Sequence, residues 1–160
     1  MHLFFSTPVW VNQIENHETI NDELITFIYN EKNNDPEGTR KSNVRGWHSK
    51  NFDLQNKNLS NFIKSISSKI KEAVDDMAWD TENQIVKISS MWSIVNKKDS
   101  FNERHHHGNS DLSAAYYVSA DEDSGNIVFY DTRNAFTFSH PKTNHVNDLN
   151  GQVKSITPKN

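Results

Sequence analysis

Hydrophobic periodicity divides the chain into a helical first part and a strand-rich second part. Apolar residues recur every three or four positions from Asn58 to Met77, which predicts a long helix with one buried face. Thr19 and Asp22 resemble a capping box, and the helical spacing that follows predicts a shorter amphipathic helix that buries Ile20, Leu24, Phe27 and Ile28. The polar segment from Asn30 to Gly46 is predicted to be a loop.

Short β-prone runs lie at the start of the chain and after Trp79. The opening His2–Val11 is aromatic and β-branched and contains one proline, which predicts an edge strand. After Trp79, clusters of Gly, Asn, Asp and Ser separate the runs Ile85–Val95, Leu112–Val118, Ile127–Tyr130 and Val153–Ile156. Residues Asp121–Asn126 are expected to form a hairpin turn. Helices followed by strands favour a single α+β domain, residues 1–160, in which the helices brace an antiparallel sheet or sandwich.

Composition narrows the classes of function. The chain has 17 Lys and Arg against 21 Asp and Glu, a formal charge of −4, so we do not expect a nucleic-acid partner. Neither a membrane-spanning run nor a signal peptide is predicted, and we expect a cytoplasmic protein. With no Cys, a metal would be held by His, Asp, Glu or other oxygen ligands. There is neither a Gly-rich phosphate loop nor a Gly-x-Ser-x-Gly elbow to indicate nucleotide hydrolysis or serine-type acyl transfer.

A cluster of three histidines leads directly into one of the predicted strands. In an extended segment, residues two positions apart share a face, so His105 and His107 can point to one site while His106 points away. Two converging imidazoles are half of a site for iron, zinc or copper, and two His with one carboxylate are typical of non-haem iron oxygenases. The alternative is that all three histidines are solvated loop residues.

Five segments in and around this cluster form an ordered pattern: residues 102–118, 125–133, 42–49 (Ser-Asn-x-x-Gly-Trp-His-Ser), 92–96 and the opening 5–10 (Phe-x-Thr-Pro-Val-Trp). Together they resemble a family of 2-oxoglutarate-Fe(II) oxygenases of marine bacteria and phages. The resemblance implies a double-stranded β-helix, or jelly roll, of cupin-like form that uses Fe(II) and 2-oxoglutarate to hydroxylate a substrate. It also implies that His105 and His107 bind iron, with His107 in the place where a carboxylate is commoner.

Further residues are candidates for the cosubstrate and the substrate pocket. Tyr117 could donate a hydrogen bond to a 2-oxoglutarate carboxylate, although a core position is the simpler interpretation. Arg133 could pair with an anion, or only with a loop carboxylate such as Asp131. The candidate pocket residues are Trp47, His48, Trp92, Asn96 and Asn102.

The chain also departs from the family pattern. Arg45 and Ala114 stand where the family prefers Gly. The resemblance implies a further strand pair after Asn160, with a distal iron-binding His and a basic residue for 2-oxoglutarate. We therefore expect a C-terminally truncated domain that lacks its last strands, binds iron weakly and is inactive. An exposed sheet edge would then favour a homodimer or a strand-swapped oligomer.

The third metal ligand and the function both have alternatives. Asp111 and Glu103 are the nearest carboxylates, and His140 or His145 could replace a distal His. One alternative function is a non-catalytic jelly-roll module for ligand binding or protein interaction. Another is a cupin-like metalloenzyme with three His ligands that does not use 2-oxoglutarate. The sequence predicts no particular small-molecule or protein substrate.

Overall fold

The computed structural model describes residues 6–132 and 143–158. The chain divides into two compact units, Met1–Ala114 and Ala115–Asn160. The first unit holds two helices and four short strands, and the second holds an antiparallel strand pair. The fold is thus α+β, and the prediction of one domain over residues 1–160 stays a prediction.

Two helices supply most of the core of the first unit. Helix α1 spans His17–Asn34, a 3-10 turn spans Lys57–Leu59, and helix α2 spans Ser60–Asp76. All three contact one another, and Leu59 is 1% exposed between the helices. Burying that one side chain stabilises the unit by roughly 2 kcal/mol. The other buried apolar residues on these helices are Ile20, Leu24, Phe27, Phe62, Ala73 and Val74.

The ends of α1 differ from the sequence prediction. The helix begins at His17 after a left-handed residue, Asn16, so the predicted capping box does not mark its start. It continues to Asn34, through residues predicted to be a loop. Proline disfavours helical backbone in the residue before it, and Asp35, which precedes Pro36, has left the helix with φ −135° and ψ 71°. Pro36 thus marks the true end of the helix.

The strands pair in three separate ladders, and the predicted runs Ile127–Tyr130 and Val153–Ile156 are strands with those bounds. Antiparallel pairs join β1 (Asn43–Val44) to β4 (Phe101–Asn102), β2 (Trp47–His48) to β3 (Ile94–Val95), and β5 (Ile127–Tyr130) to β6 (Val153–Ile156). These pairs confirm a mixture of helices and antiparallel strands. The described strands do not close into a barrel.

Three predicted strands are absent or reduced in the described residues. Residues 6–11 and 112–118 have no strand pairing, and only the last two residues of the predicted Ile85–Val95 strand are paired. Ile85 is 91% exposed and no neighbouring backbone pairs with it in the described segments. A β-prone run becomes a strand only where a second backbone lies beside it, so local composition overestimates strand length here. The turn at Asp121–Asn126 is present, with the Ser124 N–H donating to the Asp121 carbonyl at 3.0 Å.

The loop between α1 and β2 is organised by the Asn43 side chain. Its amide N–H groups donate to the carbonyls of Thr39 (3.2 Å) and Gly46 (2.9 Å), and its oxygen accepts from the Lys41 N–H at 2.8 Å. These three bonds fix the backbone that leads into β2.

Among the described residues, helices lack the combination of length and apolar character that spanning a bilayer requires.

Replacing Asn43 by alanine is expected to lower the free energy of unfolding by about 1–2 kcal/mol, because it leaves partly buried backbone groups without partners. Urea denaturation measures the change. The matched control is Asn51→Ala at an exposed asparagine of the same unit, which is expected to cost less than about 0.5 kcal/mol. Equal stabilities of the two variants would contradict the role of Asn43.

Candidate metal centre

The four short strands of the first unit bring together residues that are far apart in sequence. Strand β2 pairs with β3 so that His48 lies opposite Ile94. The ladder extends beyond both strands, because the Ser49 N–H donates to the Ser93 carbonyl at 3.0 Å. The segment around Trp92 therefore runs alongside residues 47–52.

The histidine cluster follows β4 directly. Asn102 lies opposite Asn43 in the β1–β4 pair, and the Glu103 N–H donates to the Ser42 carbonyl at 2.8 Å, just beyond the pair. Residues 105–107 then leave the ladder and are exposed. The histidines thus belong to the loop after β4. Their spacing predicts an extended strand end, which the structure does not have at this position.

The rings of His105 and His107 lie next to each other, with centroids 5.0 Å apart and planes at 68°. The Nδ1 atom of His105 is 2.7 Å from the Glu103 carbonyl oxygen. A carbonyl only accepts, so Nδ1 carries a proton, and the tautomer of the imidazole that matches this contact has its lone pair on Nε2. Histidines that bind metals commonly have this arrangement, with one nitrogen donating to a carbonyl and the other free for the metal.

A series of ring contacts continues from His107 into the interior. The His107 imidazole and the Trp92 indole are stacked, with centroids 5.6 Å apart and planes at 25°. The same indole stacks on His48 with centroids 5.8 Å apart and planes at 11°. We call His48, Trp92, His107 and His105 the ring series.

The inner end of the ring series is firmly held. His48 is buried, and its Nδ1 lies 2.6 Å from the Ser49 carbonyl oxygen and 3.2 Å from the Thr39 hydroxyl. Nδ1 therefore donates to the carbonyl of Ser49. The Thr39 N–H in turn donates to the His48 carbonyl at 2.8 Å, so both backbone and side chain of His48 are fixed.

The remaining pocket candidates of the first unit have structural contacts. Trp47 is buried and its indole N–H donates to the Asp35 carbonyl at 2.8 Å. The Asp35 carboxylate pairs with Lys50 at 2.7 Å, and the hydrogen bond from Lys50 lowers the pKa of Asp35 below its ordinary value. Asn96 is exposed, with its amide oxygen close to Gly46.

The two cosubstrate candidates do not belong to the first unit. Tyr117 lies in Ala115–Asn160, is half-buried, and burial raises the pKa of its hydroxyl above the ordinary value, so it is a neutral donor at physiological pH. Arg133 lies outside the described residues, as does His140. His145 is exposed.

The donor types fit iron, but their number does not complete a site. Non-haem iron oxygenases use two imidazoles and a carboxylate, and His105 with His107 supplies two imidazoles. Within residues 6–132 and 143–158, no group of three or more His, Asp or Glu side chains is arranged to hold a metal. Neither Asp111 nor Glu103 therefore joins the two histidines as a third ligand in the described structure.

Comparison with known families bears on this same segment. Residues 90–160 match the family described as "Putative 2OG-Fe(II) oxygenase". The match covers Trp92, His105, His107, Tyr117 and Arg133, a little under half of the chain, and it supports iron and 2-oxoglutarate as cofactors in general. No curated protein and no solved structure matches the chain.

The sequence predicts all four members of the ring series as site residues, but it does not predict how they are connected. Residue type and spacing place Trp92 and His48 in a pocket without linking them to the histidine cluster, and they do not indicate the contact between the Thr39 hydroxyl and His48. His48 lies outside the matched residues 90–160 yet contacts a residue inside them. The antiparallel pairing of residues 47–49 with 93–95 creates this contact, and periodicity within either short segment could not predict it.

Proposed function

We propose that this chain is an iron- and 2-oxoglutarate-dependent dioxygenase domain of the jelly-roll type, with His105 and His107 as two iron ligands. The observation that carries the proposal is the pair of imidazoles with ring centroids 5.0 Å apart, one of which donates a hydrogen bond from Nδ1 to a backbone carbonyl. The pair lies within the residues that match the oxygenase family. When bound, iron would activate O₂ with 2-oxoglutarate as the reductant, so that one oxygen atom goes to a substrate carbon and the other to the succinate formed when 2-oxoglutarate loses CO₂.

The residues of the chain have separate roles in this proposal. His105 binds through Nε2, since its Nδ1–H is engaged with Glu103. His107 supplies the second imidazole. Tyr117 and Arg133, the second of which lies outside the described residues, are proposed from the sequence alone as donors to the carboxylates of 2-oxoglutarate. The third metal ligand is not one of the residues that the described structure brings beside the two histidines.

An anaerobic titration tests the proposal. Fe(II) and 2-oxoglutarate are added to the chain without oxygen, and the visible spectrum is recorded after each addition. A weak absorption band that requires both additions indicates a chelate of 2-oxoglutarate on iron and supports the proposal. Metal binding without an effect of 2-oxoglutarate would favour a three-His metalloenzyme instead. Because two imidazoles bind iron weakly, the titration extends to millimolar Fe(II) and 2-oxoglutarate, and failure to bind either at those concentrations would favour a non-catalytic module.

A further inference from the structure

We propose that Trp92 is a positioning residue for the His107 imidazole, and that the buried His48 anchors the Trp92 indole. This inference rests on the proposed function, because it concerns how one of the two metal-binding rings is held. The juxtaposition that carries it is the ring series, in which His48 contacts Trp92 and Trp92 contacts His107.

The two candidate ligands are held by different means. The His105 ring is oriented by its hydrogen bond to the Glu103 carbonyl. Within the part of the chain that the structure describes, the His107 ring forms no hydrogen bond and contacts two aromatic rings, those of Trp92 and His105. An exposed imidazole without a hydrogen bond rotates freely unless packing restricts it. The near-parallel stack on Trp92 supplies that restriction.

Trp92 can position another ring because it is itself held from the interior. It lies two residues before Ile94, the partner of His48 in the β2–β3 ladder. Its indole stacks on the His48 ring with the two planes at 11°. The His48 ring is buried, and its Nδ1 donates a hydrogen bond to the Ser49 carbonyl. Because the fixed His48 ring stacks on Trp92, it restricts the indole, and the indole in turn restricts the exposed His107 ring. Outer partners that orient ligands commonly contribute to metal affinity in this way.

The test compares Trp92→Ala and Trp92→Phe with wild type, using Co(II) as an air-stable probe of the iron site. Loss of an orienting partner typically weakens metal binding by roughly 10- to 100-fold, and we expect Trp92→Ala to do so. Trp92→Phe keeps a stacking ring and is expected to restore most of the affinity. Trp79→Ala, at a half-buried tryptophan outside the ring series, controls for general effects of losing an indole.

A second measurement without metal tests the contact itself. The ring current of Trp92 is expected to shift the His107 ring protons in the NMR spectrum of the wild type, and Trp92→Ala should remove this shift. His48→Ala, which leaves Trp92 in place but removes its anchor, should reduce it. The Trp79→Ala spectrum should keep it.

The outcomes separate this inference from the proposed function. Equal Co(II) affinity of wild type and Trp92→Ala, or a His107 shift that survives in Trp92→Ala, overturns the positioning role. If wild type binds no Co(II), the proposed metal site is wrong, while the NMR measurement still decides whether Trp92 orders His107. Should Trp92→Ala fail to fold, the His107 shift is compared between wild type, Trp92→Phe and His48→Ala. The smaller ring of Phe and the loss of the His48 anchor are both expected to reduce the shift, and an unchanged shift in both variants overturns the inference.

Discussion

Replacing His107 by alanine is expected to weaken Co(II) binding more than about 100-fold, because loss of a ligand costs more than the roughly 10- to 100-fold loss caused by removing an outer partner. The same result is expected for His105→Ala. The physical reason is that two imidazoles 5.0 Å apart can bind one ion together, whereas a single exposed imidazole binds it no better than any surface histidine. Absorption titration with Co(II) measures both affinities.

The adjacent His106 is the matched control for this prediction. It has the same side chain, lies in the same exposed loop, and is in contact with neither ring of the pair in the described structure. His106→Ala should therefore bind Co(II) within about threefold of wild type, much less than the loss expected for a ligand or its orienting partner. Equal losses in all three variants would mean that the cluster binds metal as a non-specific polyhistidine segment, and the assignment of His105 and His107 would be wrong.

The sequence predicted the helices better than the strands, and the reason is physical. A helix satisfies its hydrogen bonds locally, so the spacing of Leu59, Phe62 and Val74 is enough to predict α2. A strand needs a partner from elsewhere in the chain. Ile85 and Leu112 belong to β-prone runs, but no described backbone pairs with either residue. The α+β class and the bounds of β5 and β6 were therefore predictable, whereas the lengths of the strands in the first unit and the pairing of all the strands were not.

In the candidate site too, the features that depend on local sequence were predictable and those that depend on distant partners were not. Spacing two positions apart suggested that His105 and His107 share a site, and the rings are indeed adjacent, although the backbone there is a loop. What the sequence could not predict is the contact between Trp92 and both His48 and His107, because it depends on tertiary pairing across more than 40 residues. The role of Arg133 remains a prediction, since that residue lies outside the described chain.

Replacing Gly38 by alanine is expected to lower the free energy of unfolding of the first unit by about 2–5 kcal/mol. Gly38 has φ +57°, a left-handed conformation that costs other residues roughly 1–2 kcal/mol. An added Cβ would also lie 2.4 Å from the His48 carbonyl oxygen and 2.7 Å from the Trp47 indole nitrogen. Overpacking of this kind typically costs about 1–3 kcal/mol. Urea denaturation of the variant and the wild type measures the difference.

Gly125→Ala is the control that separates the cost of the left-handed backbone from the cost of overpacking. Gly125 also has a positive φ, +82°, but an added Cβ would meet no atom within 4 Å, so only the conformational cost of roughly 1–2 kcal/mol is expected. If Gly38→Ala lowers the free energy of unfolding no more than Gly125→Ala does, the backbone around His48 adjusts to an added Cβ at little energetic cost. That result would also weaken the argument that His48 is a rigid anchor, because the carbonyl that the new Cβ would strike belongs to His48 itself. If the larger loss is found, the close packing of Gly38 against β2 is one of the features that hold the inner end of the ring series in place.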